Sequence, residues 1–405
     1  MALAQQELVG YEAKSAGKPL SYRWHATAAE IPQECWNRCF PDSVEGLFWY
    51  QTLEQCELSA QFNFQYLLVF DEQGPAAIAP VFIMEVPLQI MAPVELEKLL
   101  NILARVLPRL TKIRTVFIGS PCADEGTVGI IPGRNNADVY QAVNQAVKQL
   151  SKNVAAGMIV WKDFNEQASQ ELAQQASDWN YLSICSYPGT ELHVPSGDFA
   201  NYLATLKKSR RQNLKRKLET SRKTGELKAE TVSELSEPLL QEIFPLFWQT
   251  YEKGTTKFEQ LNKEFFRKIA LQKQSRFLLL RDQQGKLLAF RLFFHLDGKI
   301  VNKFIGIDYA ANSQYFPLFK LVEEGILYAL RHNVPVIQSG QTGYGAKMET
   351  GHKLVPLYNF IWHRNPIGQW LLKLATKAIN WTTLDPELTE YLAKHPEALP
   401  PIAAK

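Results

Sequence analysis

The sequence contains few cysteines and no long apolar run, and these absences exclude several classes of protein. Its 405 residues include five scattered cysteines without the paired spacing of a zinc site, so no metal is expected. An odd number of unpaired thiols is typical of a reducing compartment. No apolar stretch reaches the about 18 residues of a spanning helix, and the start, MALAQQELVGYEAK, lacks the features of a signal peptide. We expect a cytoplasmic protein without a transmembrane segment, with peripheral contact at the inner face of a membrane left open.

Neither disorder nor a strong excess of charge is present. Hydrophobic residues make up 46% of the chain and charged residues 21%, and the net charge is only +3. These values are typical of a globular protein, and the length suits two domains better than one.

Residues 276–307 are organised as three short extended runs. The turns QQG and DG separate FLLLRD, LLAFRLFFHL and KIVNKFIGID, which predicts a meander of antiparallel strands. A helical pattern from Pro317 follows, and then the buried strand VPVIQSG. Antiparallel strands followed by a strand, helix, strand unit predict a mixed sheet with a helix packed on it.

The opening hairpin of this segment occurs twice. Residues 66–83, YLLVFDEQGPAAIAPVFI, align without a gap with 277–294, and LFWYQTLE upstream is similar to LFWQTYEK. Chance similarity of a common hairpin is the alternative. We predict an α/β (α+β) fold of two tandem modules, each a mixed, mostly antiparallel sheet flanked by helices. The predicted domains are 20–190, 191–365 and a C-terminal helix and tail at 366–405.

The second module begins with a basic segment, predicted as one helix over 198–223 with Asp198 as its N-cap. Residues 207–223 contain nine Lys or Arg and one acid, Glu219. Such density favours an anionic partner: tRNA, the phosphates of a cofactor, or anionic lipid. The alternative is a solvated helix face, since no aromatic residues are interleaved to stack on bases.

Three further segments carry predictions about structure. PVELEKLLNILARVLPRLTK (93–112) predicts a helix in the first module. NPIGQWLLKLATKAINW predicts an amphipathic helix that lies on a membrane surface or packs on the second module. The last residues, EALPPIAAK, are expected to be disordered.

The order of these segments resembles that of a known family. YLATLKKSRRQNLKRK, FWQTYEKGTTKFEQLNKEFF, the meander and YALRHNVPVIQSGQTGYGAK are similar in pattern to the FemAB-like branch of the GNAT acyltransferases, over about residues 196–363. More narrowly, the sequence looks like the proteins of peptidoglycan biosynthesis or recognition, with the cellulose-biosynthesis acetyltransferase-like group as a near neighbour. The resemblance implies an N-acyltransferase, with acyl-CoA as cosubstrate or aminoacyl-tRNA as donor, acting on an amine that can be lipid-linked.

The resemblance also implies a set of site residues. A backbone amide within 303–307 would polarise the carbonyl of the donor, and the loop 309–316 would face its phosphates. Donor binding is thereby assigned to Ile307, Asn312, Ser313, Gln314 and Lys347, and acceptor binding to Tyr251, Gln341 and His352. Asp308 and Tyr344 are the candidate acid and base.

Each of these assignments has a structural alternative. An aspartate at a strand end is commonly a turn residue, and GQTGYGAK is also typical of a glycine-rich turn. The loop ANSQYFP lacks the glycines with which related enzymes approach a pyrophosphate, so the donor stays open. A pair of modules that has lost catalysis and binds RNA, lipid or a cell-wall precursor is the alternative function.

Overall fold

The computed structural model describes residues 20–41, 44–56, 58, 61–87, 111–254, 260–376, 379–380 and 384–398. The contacts divide the chain into one unit of Met1–Ser186 with Pro356–Thr383 and a second of Tyr187–Val355 with Leu384–Lys405. Residues 93–110 of the helix predicted over 93–112 lie outside the described residues. Residues 399–405 of the tail predicted to be disordered lie outside them as well.

The first unit contains a mixed sheet flanked by helices. Its strands are β1 (Ser21–His25), β2 (Asn63–Asp71), β3 (Gly74–Pro87), β4 (Lys112–Ile118), β5 (Gly129–Ile130), β6 (Met158–Asn165), β7 (Leu182–Cys185) and β15 (Leu357–His363). Its helices are α1 (Gln33–Cys39), α2 (Leu47–Gln55), α3 (Asn136–Asn153), α4 (Glu166–Asp178) and α12 (Pro366–Ala375). The strand order is β1-β2-β3-β4-β6-β15-β7, with β5 beside β3 and with β4 and β6 parallel.

The second unit contains a mixed sheet of the same kind. Its strands are β8 (Gly189–His193), β9 (Lys228–Val232), β10 (Ser275–Arg281), β11 (Leu287–Leu296), β12 (Lys299–Ile307), β13 (Val336–Gln338) and β14 (Lys353–Val355). Its helices are α5 (Phe199–Thr205), α6 (Lys208–Thr224), α7 (Glu237–Lys253), α8 (Lys263–Ile269), α9 (Asn312–Tyr315), α10 (Pro317–Arg331), α11 (Tyr344–Glu349) and α13 (Pro386–Lys394). The strand order is β14-β8-β13-β12-β11-β10-β9, and β12 and β13 are parallel.

The predicted fold of two mixed sheets flanked by helices is confirmed. The hairpin that occurs in both sheets is formed by the same two turn residues. In the first unit, Asp71 Oδ1 accepts the N–H of Gln73 at 2.8 Å, and Gly74 has a φ of +106°. In the second, Asp282 Oδ1 accepts the N–H of Gln284 at 3.0 Å, and Gly285 has a φ of +83°. Both turns therefore use an aspartate side chain and a glycine in the left-handed region.

The predicted domain limits differ from these units at the C-terminal side. β15 pairs with β6 and β7 of the first sheet, so 356–365 do not belong to the second module as predicted. Residues 384–398 are grouped with the second unit rather than with a separate tail. Both differences arise from pairing between distant parts of the chain, for which the local pattern has no signal.

Two local predictions also require correction. The basic segment forms two helices instead of one, because Leu206 between α5 and α6 is extended, with φ −77° and ψ 142°. Asp198 is the N-cap as predicted, since its side chain accepts the N–H of Asn201. The glycine-rich segment after β13 contains a helix, α11, in place of a simple turn between strands.

α10 is the helix that packs on one side of the second sheet. Pro317 occupies its first turn, where the missing N–H costs nothing. Leu321, Val322, Ile326 and Ala329 are buried on one side and join a core with Leu278, Phe293 and Ile300 of the sheet.

Candidate functional site

In the second sheet, the parallel strands β12 and β13 pair over a short stretch and then separate. β12 and β13 pair only from Lys299↔Val336 to Val301↔Gln338. β12 then continues to Ile307, and no described strand pairs with it on that side beyond Val301. Such a gap presents backbone groups to a ligand, as an oxyanion-binding site requires.

Two amides of β12 point toward this gap, and one of them is bonded to a side chain of α7. The Asp308 N–H donates to Leu288 O at 2.8 Å, which fixes the residues of β12 that bond to β11. Because bonding alternates along an antiparallel pair, the N–H groups of Ile305 and Ile307 point away from β11. The N–H of Ile307 donates to Thr250 Oγ1 at 3.2 Å. Ile305 is therefore the candidate polarising amide, and Ile307, predicted for donor binding, has its amide engaged.

Gly306 allows α7 to lie directly on β12. A Cβ at this position would come within 2.5 Å of the backbone N of Phe247 and would overlap the ring of Phe290. The absence of a side chain brings α7 close enough for Thr250 to reach the Ile307 amide.

Ser339, immediately after β13, is the centre of a polar network in the gap. Its Oγ lies 2.9 Å from Asn302 Nδ2 and 3.1 Å from His352 Nε2. His352 Nδ1 lies 3.1 Å from Lys347 O and 3.2 Å from Thr350 Oγ1. Because a carbonyl oxygen can only accept, Nδ1 carries the proton, and Nε2 accepts from the Ser339 hydroxyl. The Ser339 oxygen accepts from Asn302 and keeps one lone pair for a further proton.

His352 is held neutral by its surroundings. Burial, together with the positive charges of Lys347 and Arg291, lowers its pKa to about 3. A neutral imidazole accepts the Ser339 hydrogen bond at every physiological pH, so this histidine orients Ser339 and does not store a proton.

A buried neutral histidine predicts a loss of stability in mild acid. The unfolded chain binds a proton at His352 below pH about 6.5, whereas the folded protein does not bind it until pH about 3. Stability should therefore fall by about 1.4 kcal/mol per pH unit below 6.5, or about 2 kcal/mol at pH 5. Urea unfolding of wild type and His352→Gln at pH 7.5 and pH 5 measures the difference. Equal losses of unfolding free energy in wild type and His352→Gln would contradict the prediction. Substitution of an exposed histidine, His332→Gln, is the matched control and should lose as much as the wild type.

Lys347 holds the loop that carries Ser339. Its Nζ donates to the carbonyls of Ser339, Gly340 and Gln341, the last two at 3.1 Å. Gly340 has a φ of +53°, which suits glycine. The ammonium predicted to bind a ligand phosphate or carboxylate is therefore used to fix the loop.

Arg291 places a buried cation beneath α10. Its side chain donates to Leu321 O at 3.1 Å, and a Cβ at Gly325 would lie 2.9 Å from the guanidinium, so glycine makes room for it. Burial lowers the pKa of Arg291 to about 10, which leaves it charged at neutral pH. Its Nε has no hydrogen-bond partner among the residues described. The Arg291 charge acts on His352, where it contributes to the lowered pKa.

Asp308 has a structural position. Its carboxylate accepts from Lys286 Nζ at 2.6 Å and from the Ala310 N–H at 3.0 Å. Burial acts to raise the pKa of Asp308, but these hydrogen bonds and the Lys286 charge outweigh it and lower the pKa. An ionised, fully engaged turn carboxylate is a poor base, and the geometry does not favour the role predicted for it.

The Tyr344 hydroxyl is also engaged in a structural hydrogen bond. The side chain is fully buried, and its hydroxyl donates to Pro188 O at 2.8 Å. This hydrogen bond attaches α11 to the chain preceding β8, which is a packing role in place of the predicted proton transfer.

The loop predicted to face phosphates forms a helical turn. Asn312 begins α9, Ser313 and Gln314 are exposed, and the carbonyl of Gln314 accepts from Thr224 at the end of α6 at 3.2 Å. Pro317, at the start of α10, has no N–H to offer. A loop whose amides belong to helical turns is a poor cradle for a pyrophosphate.

The two remaining predicted acceptor residues occupy different positions. Tyr251 lies on α7, where its ring stacks with Phe247 and contacts Trp248 at centroid distances of 6.3 and 5.2 Å. Gln341 lies in the Ser339 loop, and its Nε2 is buried without a hydrogen-bond partner in the described part of the chain. Gln341 is therefore better placed than Tyr251 to contact a ligand in the gap.

The basic helix α6 divides its cations between internal pairing and solvent. Lys217 pairs with Glu349 at 2.6 Å, Arg222 pairs with Glu323 at 2.6 Å, and Arg210 stacks on Tyr391. The exposed cations without an ion pair to a described carboxylate form a stripe, here called the basic stripe: Lys208, Lys215, Arg216 and Lys223.

Four residues of this region were not predicted from the sequence as site residues: Asn302, Ser339, Arg291 and Thr250. Ser339 had a weak signal, as a hydroxyl at the end of a buried strand. Among the residues that the structure describes, no three His, Cys, Asp or Glu side chains form a possible metal site.

Comparison with protein families gives a match over most of the chain. Residues 124–374 match the FemAB-like family, described as peptidoglycan biosynthesis/recognition. No match is found among curated proteins.

Three solved structures are similar to this chain at low sequence identity. The crystal structure of FemX has a TM-score of 0.55 at 13% identity and covers 88% of this chain and 100% of its own. A tandem GNAT protein from the clavulanic acid biosynthesis pathway has a TM-score of 0.48 at 10% identity, covering 86% and 99%. L-PGS from Bacillus licheniformis has a TM-score of 0.48 at 9% identity, covering 80% and 95%. At these identities the likeness to FemX shows the fold alone.

Proposed function

The chain belongs to the FemAB-like family of peptidoglycan biosynthesis and recognition, in agreement with the acyltransferase predicted from its sequence, and we propose that it transfers an aminoacyl group from aminoacyl-tRNA to an amine of a cell-envelope precursor. The observation that carries this proposal is the hydrogen-bonded Ser339 hydroxyl in the gap between β12 and β13.

In this proposal the donor carbonyl lies against the Ile305 amide. The incoming neutral amine attacks the carbonyl carbon, a C–N bond forms, and the oxygen becomes an oxyanion that accepts from the Ile305 N–H. The charge of Arg291 favours this oxyanion through a low-dielectric interior. Collapse of the intermediate breaks the ester C–O bond and releases the ribose oxygen of the tRNA.

Ser339 is the proposed catalytic residue for proton transfer. The amine loses one proton and the leaving ribose oxygen gains one, so the two sides balance. The Ser339 oxygen takes the amine proton on its free lone pair, and its own proton leaves the hydrogen bond with His352 Nε2 and passes to the leaving ribose oxygen. Before the transfer, Asn302 and His352 set the orientation of the hydroxyl. Asn302 and His352 are positioning residues.

Two features support tRNA over CoA as the donor. The loop 309–316 offers few free amides to a pyrophosphate, because it forms helical turns and ends at Pro317. The basic stripe offers four exposed cations to a phosphate backbone. We propose that the acceptor is lipid-linked and that the reaction takes place in the cytoplasm, at the inner face of the membrane.

The test is a transfer assay with both donors. The purified full chain is incubated with a pool of aminoacyl-tRNA or with acetyl-CoA, and with a lipid-linked, lysine-containing muramoyl pentapeptide as the acceptor probe. Mass spectrometry is expected to detect the probe plus one amino-acid residue in the tRNA reaction. Acetylation of the probe would instead favour the CoA-dependent alternative, and binding of the probe without transfer from either donor would favour the binding module.

A further inference from the structure

Helix α12 (Pro366–Ala375) in the first unit exposes its apolar side. Ile367, Trp370, Leu371 and Leu374 are 69%, 59%, 54% and 46% exposed. Their spacing of i, i+3, i+4 and i+7 places all four on one face of the helix. A soluble helix normally buries such a face, so this arrangement needs a partner.

The helix is attached through its polar side instead. Gln369, its only buried residue, accepts the N–H of His363 at 2.7 Å and donates to Asn180 O at 2.6 Å. Gly368 lies against the His363 ring, where a side chain would overlap it. Asn365 caps the first turn by accepting the N–H of Ile367 at 2.8 Å. The orientation of α12 is thus set by specific contacts that direct its apolar face outward.

Charge indicates the chemistry of the partner. From residue 350 to residue 384 the sequence contains no Asp or Glu, whereas Arg364 and Lys373 are exposed beside the apolar face. Two copies of the chain packed through this face would bring the same exposed cations together. An anionic lipid surface would satisfy both the cations and the apolar side chains. A tryptophan among the exposed residues also suits a membrane interface.

We propose that α12 is an interfacial helix that inserts Ile367, Trp370, Leu371 and Leu374 into the headgroup region of an anionic bilayer. Within the described residues no helix is both long and apolar enough to cross a bilayer. A single short helix with a few cations gives reversible binding, which suits an enzyme that must reach lipid-linked and dissolved substrates in turn. The binding does not depend on the transferred group or on catalysis.

The test is flotation of the full chain with lipid vesicles. Wild type is expected to float with vesicles of phosphatidylglycerol and phosphatidylcholine in equal parts and to bind pure phosphatidylcholine about tenfold less well. Trp370→Ser with Leu374→Ser should lower binding to the anionic vesicles about tenfold or more without changing the melting temperature, since both side chains are exposed. Lys373→Glu should lower binding while the apolar face stays intact.

Leu271→Ser is the matched control, because this leucine is 74% exposed in the second unit. The control should bind vesicles like the wild type. Absence of flotation, or flotation that the Trp370 and Leu374 substitutions leave unchanged, would overturn the proposal. Loss of a dimer in sedimentation, in place of loss of vesicle binding, would overturn it in favour of contact between copies. A failed transfer assay would leave this result unaffected, so the two proposals can fail separately.

Discussion

Ser339→Ala should lower the rate of transfer to the acceptor probe by about 10² to 10⁴-fold, the usual contribution of one positioned proton-transfer group. The substitution removes the hydroxyl that Asn302 and His352 orient, and it leaves the Ile305 amide in place. Because proton transfer occurs only in the transition state, the loss should appear in kcat, with little change in KM. Single-turnover transfer with saturating donor measures it.

Two variants distinguish chemistry from structure at this position. Ser339→Thr keeps a hydroxyl and should recover part of the rate, whereas exposed Ser233→Ala in the same unit should have wild-type activity. Loss of the partly buried hydrogen bonds in Ser339→Ala should cost about 1 to 2 kcal/mol of stability, too little to unfold the protein at assay temperature. Full activity in Ser339→Ala would exclude proton transfer through the Ser339 hydroxyl. The substrate or solvent would then have to move the proton.

The sequence was most informative where structure is set locally. The meander and both hairpins could be predicted because turn residues such as Asp282 and Gly285 act within four positions of one another. β15 was assigned to the wrong module because its partners β6 and β7 are distant in the sequence, and nothing in LYNFIWH specifies them. Periodicity predicts that a strand exists, and distant packing decides to which sheet it belongs.

The candidate site was harder to predict for a related reason. Asp308, Tyr344 and Lys347 were predicted from residue type and from their position in the family's pattern, and the structure gives each a partner that fixes a turn, a helix or a loop. Ser339 was overlooked because its chemistry depends on His352, on the far side of α11, and on Asn302, on another strand. Residue type shows what a side chain can do, but only the fold shows whether it is already engaged.

For the basic helix, too, the sequence could not show which side chains are already engaged. Its composition correctly indicated an excess of cations, but not which of them are neutralised internally. Arg210, which would be an obvious choice for charge reversal, donates to the Tyr391 hydroxyl at 3.0 Å and helps hold α13 to α6. Its replacement would perturb packing along with charge, so it does not test nucleic-acid binding.

Reversal of the basic stripe, Lys208→Glu with Lys215→Glu, Arg216→Glu and Lys223→Glu, should therefore abolish tRNA-dependent transfer while leaving the fold intact. Four cations that each neutralise a phosphate give a slope of about −3 in log binding constant against log salt concentration. Reversal removes this attraction and adds repulsion, so kcat/KM for aminoacyl-tRNA should fall about 10³-fold or more at low salt. The wild type should lose activity steeply with added salt, and the variant should show little further salt dependence.

The control is a reversal of equal size on the same unit, at the exposed cations Lys273, Lys299, Arg331 and Lys353. It changes the net charge equally but leaves the stripe intact, so a much smaller loss separates a local binding surface from long-range attraction. Wild-type kcat/KM with aminoacyl-tRNA in the stripe variant would contradict the proposed docking surface. Acetyl transfer that persists in both variants would show that the chemistry between β12 and β13 is intact and that the donor, not the site, was misassigned.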